Sequence, residues 1–292
     1  MDNGIGWELY RTFLAVLEEG SLSAAARALG LTQPTIGRHV AALEKALAVP
    51  LFVRSQSGLA PTDAALALRG HAQAMGSIAA SLQRAAGRHG EAVQGTVRIS
   101  ASEVIGAEVL PPVLAGLRRA HPQLRMELVL SNRVQDLLHR EADVAVRMTR
   151  PDQDLLIARR IGEVALGLYA HPDYLARHGT PQDLDALMQH ALVGFDADTP
   201  FLRAARAGLP RWRRDAFALR ADSDLAQLAL IRAGCGIGFC QAPLARGLTP
   251  VLPQQVRLGL DTWITMHQDL RGSPACSAVF AALAEAMTAH IG

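Results

Sequence analysis

The chain has a single lysine, Lys45, and carries nearly all of its positive charge as arginine. That bias fits a GC-rich coding sequence as well as it fits a need for guanidinium groups. Net charge is almost lacking too. The 29 basic and 27 acidic residues leave +2, so any nucleic-acid partner must be argued from local geometry and not from bulk charge. Cysteine is scarce: Cys235, Cys240 and Cys276 are too few and too clustered for the disulfide framework of a small secreted protein. No pair has CxxC spacing, no histidines stand in an HExxH pattern, and no GxSxG elbow occurs. Neither a metal nor a cofactor is expected. No apolar run approaches the length of a membrane span, and the opening MDNGIGWELY has an acid where a secretory leader has bases. The expectation is a cytoplasmic protein without a membrane partner.

What is present is half apolar and about a fifth charged, without long Ser, Gln or Pro tracts, over 292 residues. That composition suits two or three folding units, each with its own core. Leu9, Phe13, Val16 and Leu17 repeat at helical spacing before Gly20, predicting a first helix over Trp7–Glu19. A second begins at a Ser21 or Ser23 cap and stops at Gly30. Thr32 can cap a third through its hydroxyl, with Pro34 in the first turn, where its missing N–H costs nothing. In that third helix, Gln33 to about Leu47, the residues Ile36, Val40, Leu43 and Leu47 form one apolar stripe. Gln33, Thr35, Gly37, Arg38 and His39 lie on or near the other side. Two helices, a short Gly-containing turn and an exposed polar helix start describe a helix-turn-helix, whose second helix enters the major groove of DNA.

Residues 49–65 predict two short strands around a turn at 55–58, a β-wing with Arg54 placed for a phosphate. Thr62 then caps a long helix in which Ala64, Leu68, His71, Met75, Ile78, Leu82 and Ala85 alternate four and three apart. That heptad seam predicts dimerisation through Leu68, Met75, Ile78 and Leu82. After a Gly-containing hinge at 85–95, the runs TVRISAS, RMELVLS, ADVAVRM, VALGLYA, ALVGF, FALRAD, GIGFCQ and TWITMH read as strands. Helical segments lie between several of them, which predicts α/β architecture with largely parallel sheets. Ligands of such sheets bind beyond strand carboxyl ends, near helix N-termini. The GCGIGF stretch has dinucleotide-type glycines in the wrong order, after a helix and before a strand, and reads as a helix stop. Cys235 and Cys240 in that stretch read as packing residues.

The stretch FLAVLEEGSLSAAARALGLTQPTIGRHVAALEKALAVPLFVRS, with LAPTDAA after it, resembles the DNA-binding signature of LysR-type transcriptional regulators. GTVRISAS, LPPVLAGLRRAHPQ and DLLHREADVAVR resemble that family's effector domain, so the likeness runs essentially end to end. It implies an α+β multidomain chain: a winged helix-turn-helix over 1–61, a linker and hinge over 62–92, and an effector-binding domain over 93–292. That domain would hold two α/β subdomains of periplasmic-binding-protein type, 93–161 with 268–292, and 162–267. The chain would cross out near Ile161 and return near His267, with 273–291 a helix of the first subdomain. The resemblance also implies double-stranded promoter DNA, a small-molecule effector, RNA polymerase and a second copy of the chain, in a dimer or more usually a tetramer, as partners.

Position by position, the resemblance places Gln33 and Pro34 at bases and methyl groups, Arg38 at a base or phosphate and Arg54 at a wing phosphate, and Thr32 and Thr35 of the same helix start complete the candidate DNA contacts. Gln can bond adenine at two points, and Arg supplies the salt-dependent phosphate contact or reads guanine. Gly37 stands where many relatives have serine, and Ser57 where many have a wing arginine. Around the cleft, Ser102, Ser131, Asn132, Arg147, Phe195 and Ser223 are the candidate effector residues, and Ser102 with Arg147 points to a carboxylate on the effector. A ligand-binding α/β enzyme and a constitutive DNA binder are the competing readings. An enzyme has no need of the helix-turn-helix and seam, and a constitutive binder would show no ligand-dependent stability.

Overall fold

The computed structural model describes residues 5–55, 58–86, 92–132, 142–151 and 156–292. They form two compact units, the described residues up to Ala86 in one and those from 92 onward in the other.

The first unit opens with α1 (Trp7–Glu19), α2 (Leu22–Leu29) and α3 (Gln33–Leu47), with the starts and stops that the periodicity predicts. The Ser21 hydroxyl accepts the Ala24 amide at 3.1 Å, and Gly30 ends α2 in the left-handed region at φ 67°. Phe13, Ile36 and Leu43 are fully buried, so three short helices cover one another's apolar stripes. Thr32 departs from expectation. Its hydroxyl caps no backbone amide and bonds instead to the Thr35 hydroxyl at 2.9 Å.

Strands β1 (Phe52–Ser55) and β2 (Gly58–Pro61) pair antiparallel as a wing, Phe52 opposite Pro61. Gln56 and Ser57, in the expected turn, lie outside the described residues. Thr62 accepts the Ala65 amide at 3.2 Å and donates to the Pro50 carbonyl at 2.9 Å, fastening the start of α4 (Asp63–Ala86) to the wing. Along α4, Ala65 and Ala72 are buried against the unit's own core, and Leu68 packs half-buried beside them. Met75, Ile78 and Leu82 stand out at 37%, 40% and 63% exposure. The seam expected from the heptads is therefore divided: Leu68 belongs to the inner stripe, and the other three form a neighbouring outer stripe.

The second unit runs β3 (Gly95–Ala101), α5 (Glu103–Glu108), α6 (Leu110–Ala120), β4 (Leu124–Leu130), β5 (Val144–Arg147), β6 (Leu156–Ala170), α7 (Pro172–His178), α8 (Leu184–Leu187) and β7 (Leu192–Gly194). It continues through α9 (Pro200–Ala205), β8 (Phe217–Arg220), α10 (Asp224–Arg232), β9 (Gly238–Gln241), β10 (Thr249–Val251), β11 (Leu258–His267) and α11 (Pro274–Ile291). All eight expected strand runs form, and β10 is an addition. The hinge residues 87–91 lie outside the described residues.

The main sheet is mixed, where a largely parallel one was expected. Its order is β10-β6-β11-β5-β3-β4, with β9 also paired to β6. Only β3 with β4 and β3 with β5 run parallel; β11 lies antiparallel to β5 and β6, and β6 antiparallel to β9 and β10. The cause is topological. Strands β6 and β11 carry the chain out to a second core and back, and two strands travelling in opposite senses can only pair antiparallel. One core gathers Ile99, Val146, Ile264 and the α11 residues Val279, Leu283 and Met287; the other gathers Leu168, Tyr174, Leu192, Trp212 and Phe217. The passage between them is marked by a register break where Thr262 faces Gly162 and Trp263 faces Arg160. Ile264 and Met266 already sit in the first core, so the return is complete before His267.

Helix α11 corrects the expectation that no apolar stretch reaches spanning length. Its 18 residues have a mean hydropathy of 1.2, enough by length and composition to cross a membrane. Cys276, Val279, Leu283 and Met287 on it are nonetheless fully buried in the first core, as in an ordinary core helix.

Candidate nucleic-acid interface and effector cleft

The first turn of α3 is presented outward because the rest of the helix is held by its other side. Ile36, Val40 and Leu43 pack inward, and the His39 Nδ1 lies 2.9 Å from the buried Thr12 hydroxyl, which itself donates to the Glu8 carbonyl. Thr32, Gln33, Pro34 and Arg38 are exposed and Thr35 is half-buried. Two short hydrogen-bond chains organise this face. Ser23 of α2 donates to the Gln33 side-chain oxygen at 3.0 Å, and Arg38 donates to the Thr35 hydroxyl, which also meets Thr32. Among the described residues the Gln33 amide has only this bond, so its N–H donors and one lone pair of its oxygen are uncommitted. Gly37 leaves open space, a Cβ there coming no closer than 4.0 Å to Leu22. Arg54 sits in β1, with its side chain outside the described residues.

In the second unit the structure brings Ser102, Asn132 and Ser223 together and adds two acids. Ser102 precedes α5 at its N-cap position, yet its hydroxyl caps nothing. That hydroxyl is buried and has no hydrogen-bond partner among the described residues. Ser223 caps α10, accepting the Ala226 amide, and donates to the Glu103 carboxylate at 2.5 Å. Asn132 accepts the Glu103 amide at 3.2 Å and donates to Asp224 at 3.0 Å. Glu103 of α5 and Asp224 of α10 are therefore held close to each other through Asn132 and Ser223. Burial first, and the Glu103 charge second, push the Asp224 carboxyl up to about 6, against the Asn132 hydrogen bond that lowers it.

Ser131 follows β4, its amide donating to the Ala101 carbonyl at 2.9 Å. Phe195 packs its half-buried ring edge-on to Phe201 at 6.0 Å, against the second core. Arg147 is placed differently from expectation. It is 5% exposed and donates to the Ser100 hydroxyl at 2.6 Å and the Val146 carbonyl at 3.1 Å, so its partner on β3 is Ser100 and not Ser102. Ser100 lies opposite Ala145 and Arg147, two residues on, shares that face of the sheet, whereas Ser102 has already left the strand for the start of α5.

Residues 7–66 match the family model described as bacterial regulatory helix-turn-helix protein, lysR family, and residues 90–288 match that of the LysR substrate binding domain. The chain belongs to the LysR family. It is similar to the regulator CrgA of Neisseria meningitidis serogroup C (strain 8013), 32% identical over 184 residues that cover 63% of this chain and 61% of CrgA. It is similar also to the HTH-type transcriptional repressor PA14_22550 of Pseudomonas aeruginosa (strain UCBPP-PA14), 30% identical over 254 residues covering 83% and 80%. An HTH-type transcriptional regulator of Xanthomonas campestris is matched over 52% of its length; like the CrgA match, that is less than two thirds of the relative. Among solved structures, CrgA from Neisseria meningitidis aligns with a TM-score of 0.59 at 26% identity over 95% of this chain and 97% of that one. Full-length CbnR, solved with its target DNA, shares the fold, with a TM-score of 0.60 at 21% identity over 98% of each chain.

Within this LysR-family frame, Ser23, Glu103 and Asp224 are the site residues that sequence reasoning passed over. Ser23 was considered only as a cap, and the two acids look like ordinary first-turn carboxylates of α5 and α10. Their shared location depends on a contact 120 positions apart in sequence. The glycine run is structural: Gly234 turns the chain at φ 72° after α10, and a Cβ on Gly236 would strike the Ala191 carbonyl. Cys240 is 4% exposed and burial pushes its thiol up to about 12, the behaviour of a packing residue.

Proposed function

We propose that this LysR-family protein is a cytoplasmic regulator that binds a double-stranded promoter sequence and whose grip is set by a small molecule in the cleft. The observation that carries the first half is the polar first turn of α3, exposed on a helix whose other stripe is buried. In this reading Gln33 reads a base edge, Pro34 and Thr35 contact the groove, and Arg38 and Arg54 neutralise phosphates. Copies pair through the outer stripe of α4, and dimers or tetramers span a promoter dyad where polymerase is engaged. The working division is 1–61 for DNA, 62–92 for linkage and 93–292 for the effector.

The effector half rests on the buried, unpartnered Ser102 hydroxyl beside Asn132 and Ser223. An effector carboxylate would meet that hydroxyl, but it would also face Glu103 and Asp224. A second reading, an effector anchored by an N–H donor or a cationic group, is favoured by those two acids. Regulation follows if the effector prefers one inter-subdomain geometry over another, since only differential affinity shifts such an equilibrium.

The test of DNA reading is a titration of the full chain on sites selected from random duplexes. Gln33→Ala is expected to reduce discrimination between the selected and altered sites by about 1–3 kcal/mol while leaving non-specific affinity nearly unchanged. A uniform loss across sequences would make Gln33 a backbone contact instead.

A further inference from the structure

We infer that the second subdomain carries another small-molecule site, at the end of α10 remote from the cleft, and that it takes an anionic oxygen group, carboxylate or phosphate. A cavity of 510 Å³ opens there between the end of α7, the approach to β7 and the turn after α10, a volume in the range of small-metabolite sites. Tyr174, Arg177, His178, His190, Gly234 and Cys235 line it, and no carboxylate does.

The hydrogen bonds of the wall settle what it offers. The Tyr174 hydroxyl accepts the Ala191 amide at 2.9 Å and lies 3.3 Å from His190 Nδ1, a contact in which either atom can donate. An imidazole accepting at Nδ1 carries its hydrogen on Nε2. Burial and the neighbouring His178 lower the His190 pKa and favour the neutral ring, which offers an N–H at Nε2 when Tyr174 donates to Nδ1. Arg177 uses Nε on the Asp173 carbonyl at 3.1 Å, and its terminal amino groups have no hydrogen-bond partner among the described residues. A Cβ on Gly234 would lie 3.7 Å from one of them, which puts the guanidinium over that glycine at the cavity wall. The His178 ring stacks on Tyr174 at 4.6 Å. Convergent donors, a fixed positive charge and no wall acid are the chemistry of oxyanion recognition.

The cavity has a built-in reporter. Cys235 is half-buried in its wall, whereas Cys240 and Cys276 are buried at 4% and 0% exposure. The experiment is the rate of Cys235 alkylation by iodoacetamide in the full chain, assigned by mass spectrometry, with inorganic phosphate or acetate against sodium chloride of equal ionic strength. Saturable protection by either probe is expected, and which probe protects identifies the head group. Arg177→Gln, a change at an exposed position, should weaken that protection about tenfold, the loss of one charge-assisted hydrogen bond. Protection no greater than with chloride, or protection unaltered in Arg177→Gln, would overturn the assignment.

Discussion

At the scale of single residues, the protein uses side chains to prepare other side chains. Ser23 orients the Gln33 amide, and Asn132 bridges two elements by accepting from one and donating to the other. The environment of Asp224 opposes its charge twice, through burial and through a second acid. Its carboxyl is raised from 3.8 to about 6, so between those values the folded chain holds a proton that the unfolded chain has released. Stability from this group is therefore full at the acid end and falls as pH rises through the folded value. Asp224→Asn can still accept the Asn132 hydrogen bond but does not titrate. Its melting temperature is expected to exceed that of wild type at about pH 7.5 and to converge with it near about pH 4, because only the charged form is penalised. A wild type that melts higher at the alkaline end would show that the Asp224 charge is compensated in the fold.

At the scale of elements, α4 does two jobs with adjacent stripes. Ala65, Leu68 and Ala72 hold it to its own unit, while Met75 and Leu82 remain exposed. Solvent-facing apolar residues at seven-residue spacing are the material of a helix pair. The double variant Met75→Asp, Leu82→Asp is expected to sediment as a smaller species than wild type with unchanged helix content, because the charges would enter an interface but not this unit's core. Leu68→Asp should instead lower thermal stability, since Leu68 packs internally. Sedimentation identical to wild type in the double variant would place the interface elsewhere.

Most of these elements were legible in advance, for definite reasons. The first three helices show a strong 3.6-residue period, with Ser21, Gly20 and Gly30 as punctuation. The strands of the second unit show as short apolar runs, some of them β-branched such as TVRIS and TWIT, between turn residues. Strand direction was not legible, because alternation and propensity are the same in a parallel and an antiparallel ladder. Only the return path of β11 beside β6 decides it. The Thr32 cap was misjudged since Thr35, one turn on, competes for the same hydroxyl. Arg147 stands at a strand end, and its bond to Ser100 within the sheet depends on the pairing of two strands far apart in sequence.

At the scale of the whole molecule, regulation requires that a ligand in one unit be felt by a helix in the other, and Ser102 offers a way to separate occupancy from folding. A serine acting as a helix cap contributes about 1 kcal/mol, so replacing it would destabilise the protein. Ser102 caps nothing and its buried hydroxyl has no partner among the described residues, so Ser102→Ala removes an unsatisfied group and should leave the ligand-free melting temperature unchanged or slightly raised. In the proposed function the same hydroxyl bonds the effector. Ser102→Ala is therefore expected to bind ligand-free DNA like wild type while losing about tenfold in effector affinity, the worth of a hydrogen bond to a charged group. The measurement is a DNA titration with and without the molecule that co-purifies with the protein, identified by mass spectrometry, beside thermal melts of both proteins. A destabilised variant that responds normally to the effector would make Ser102 a structural residue and move the effector contact to the Asn132 and Ser223 side of the cleft.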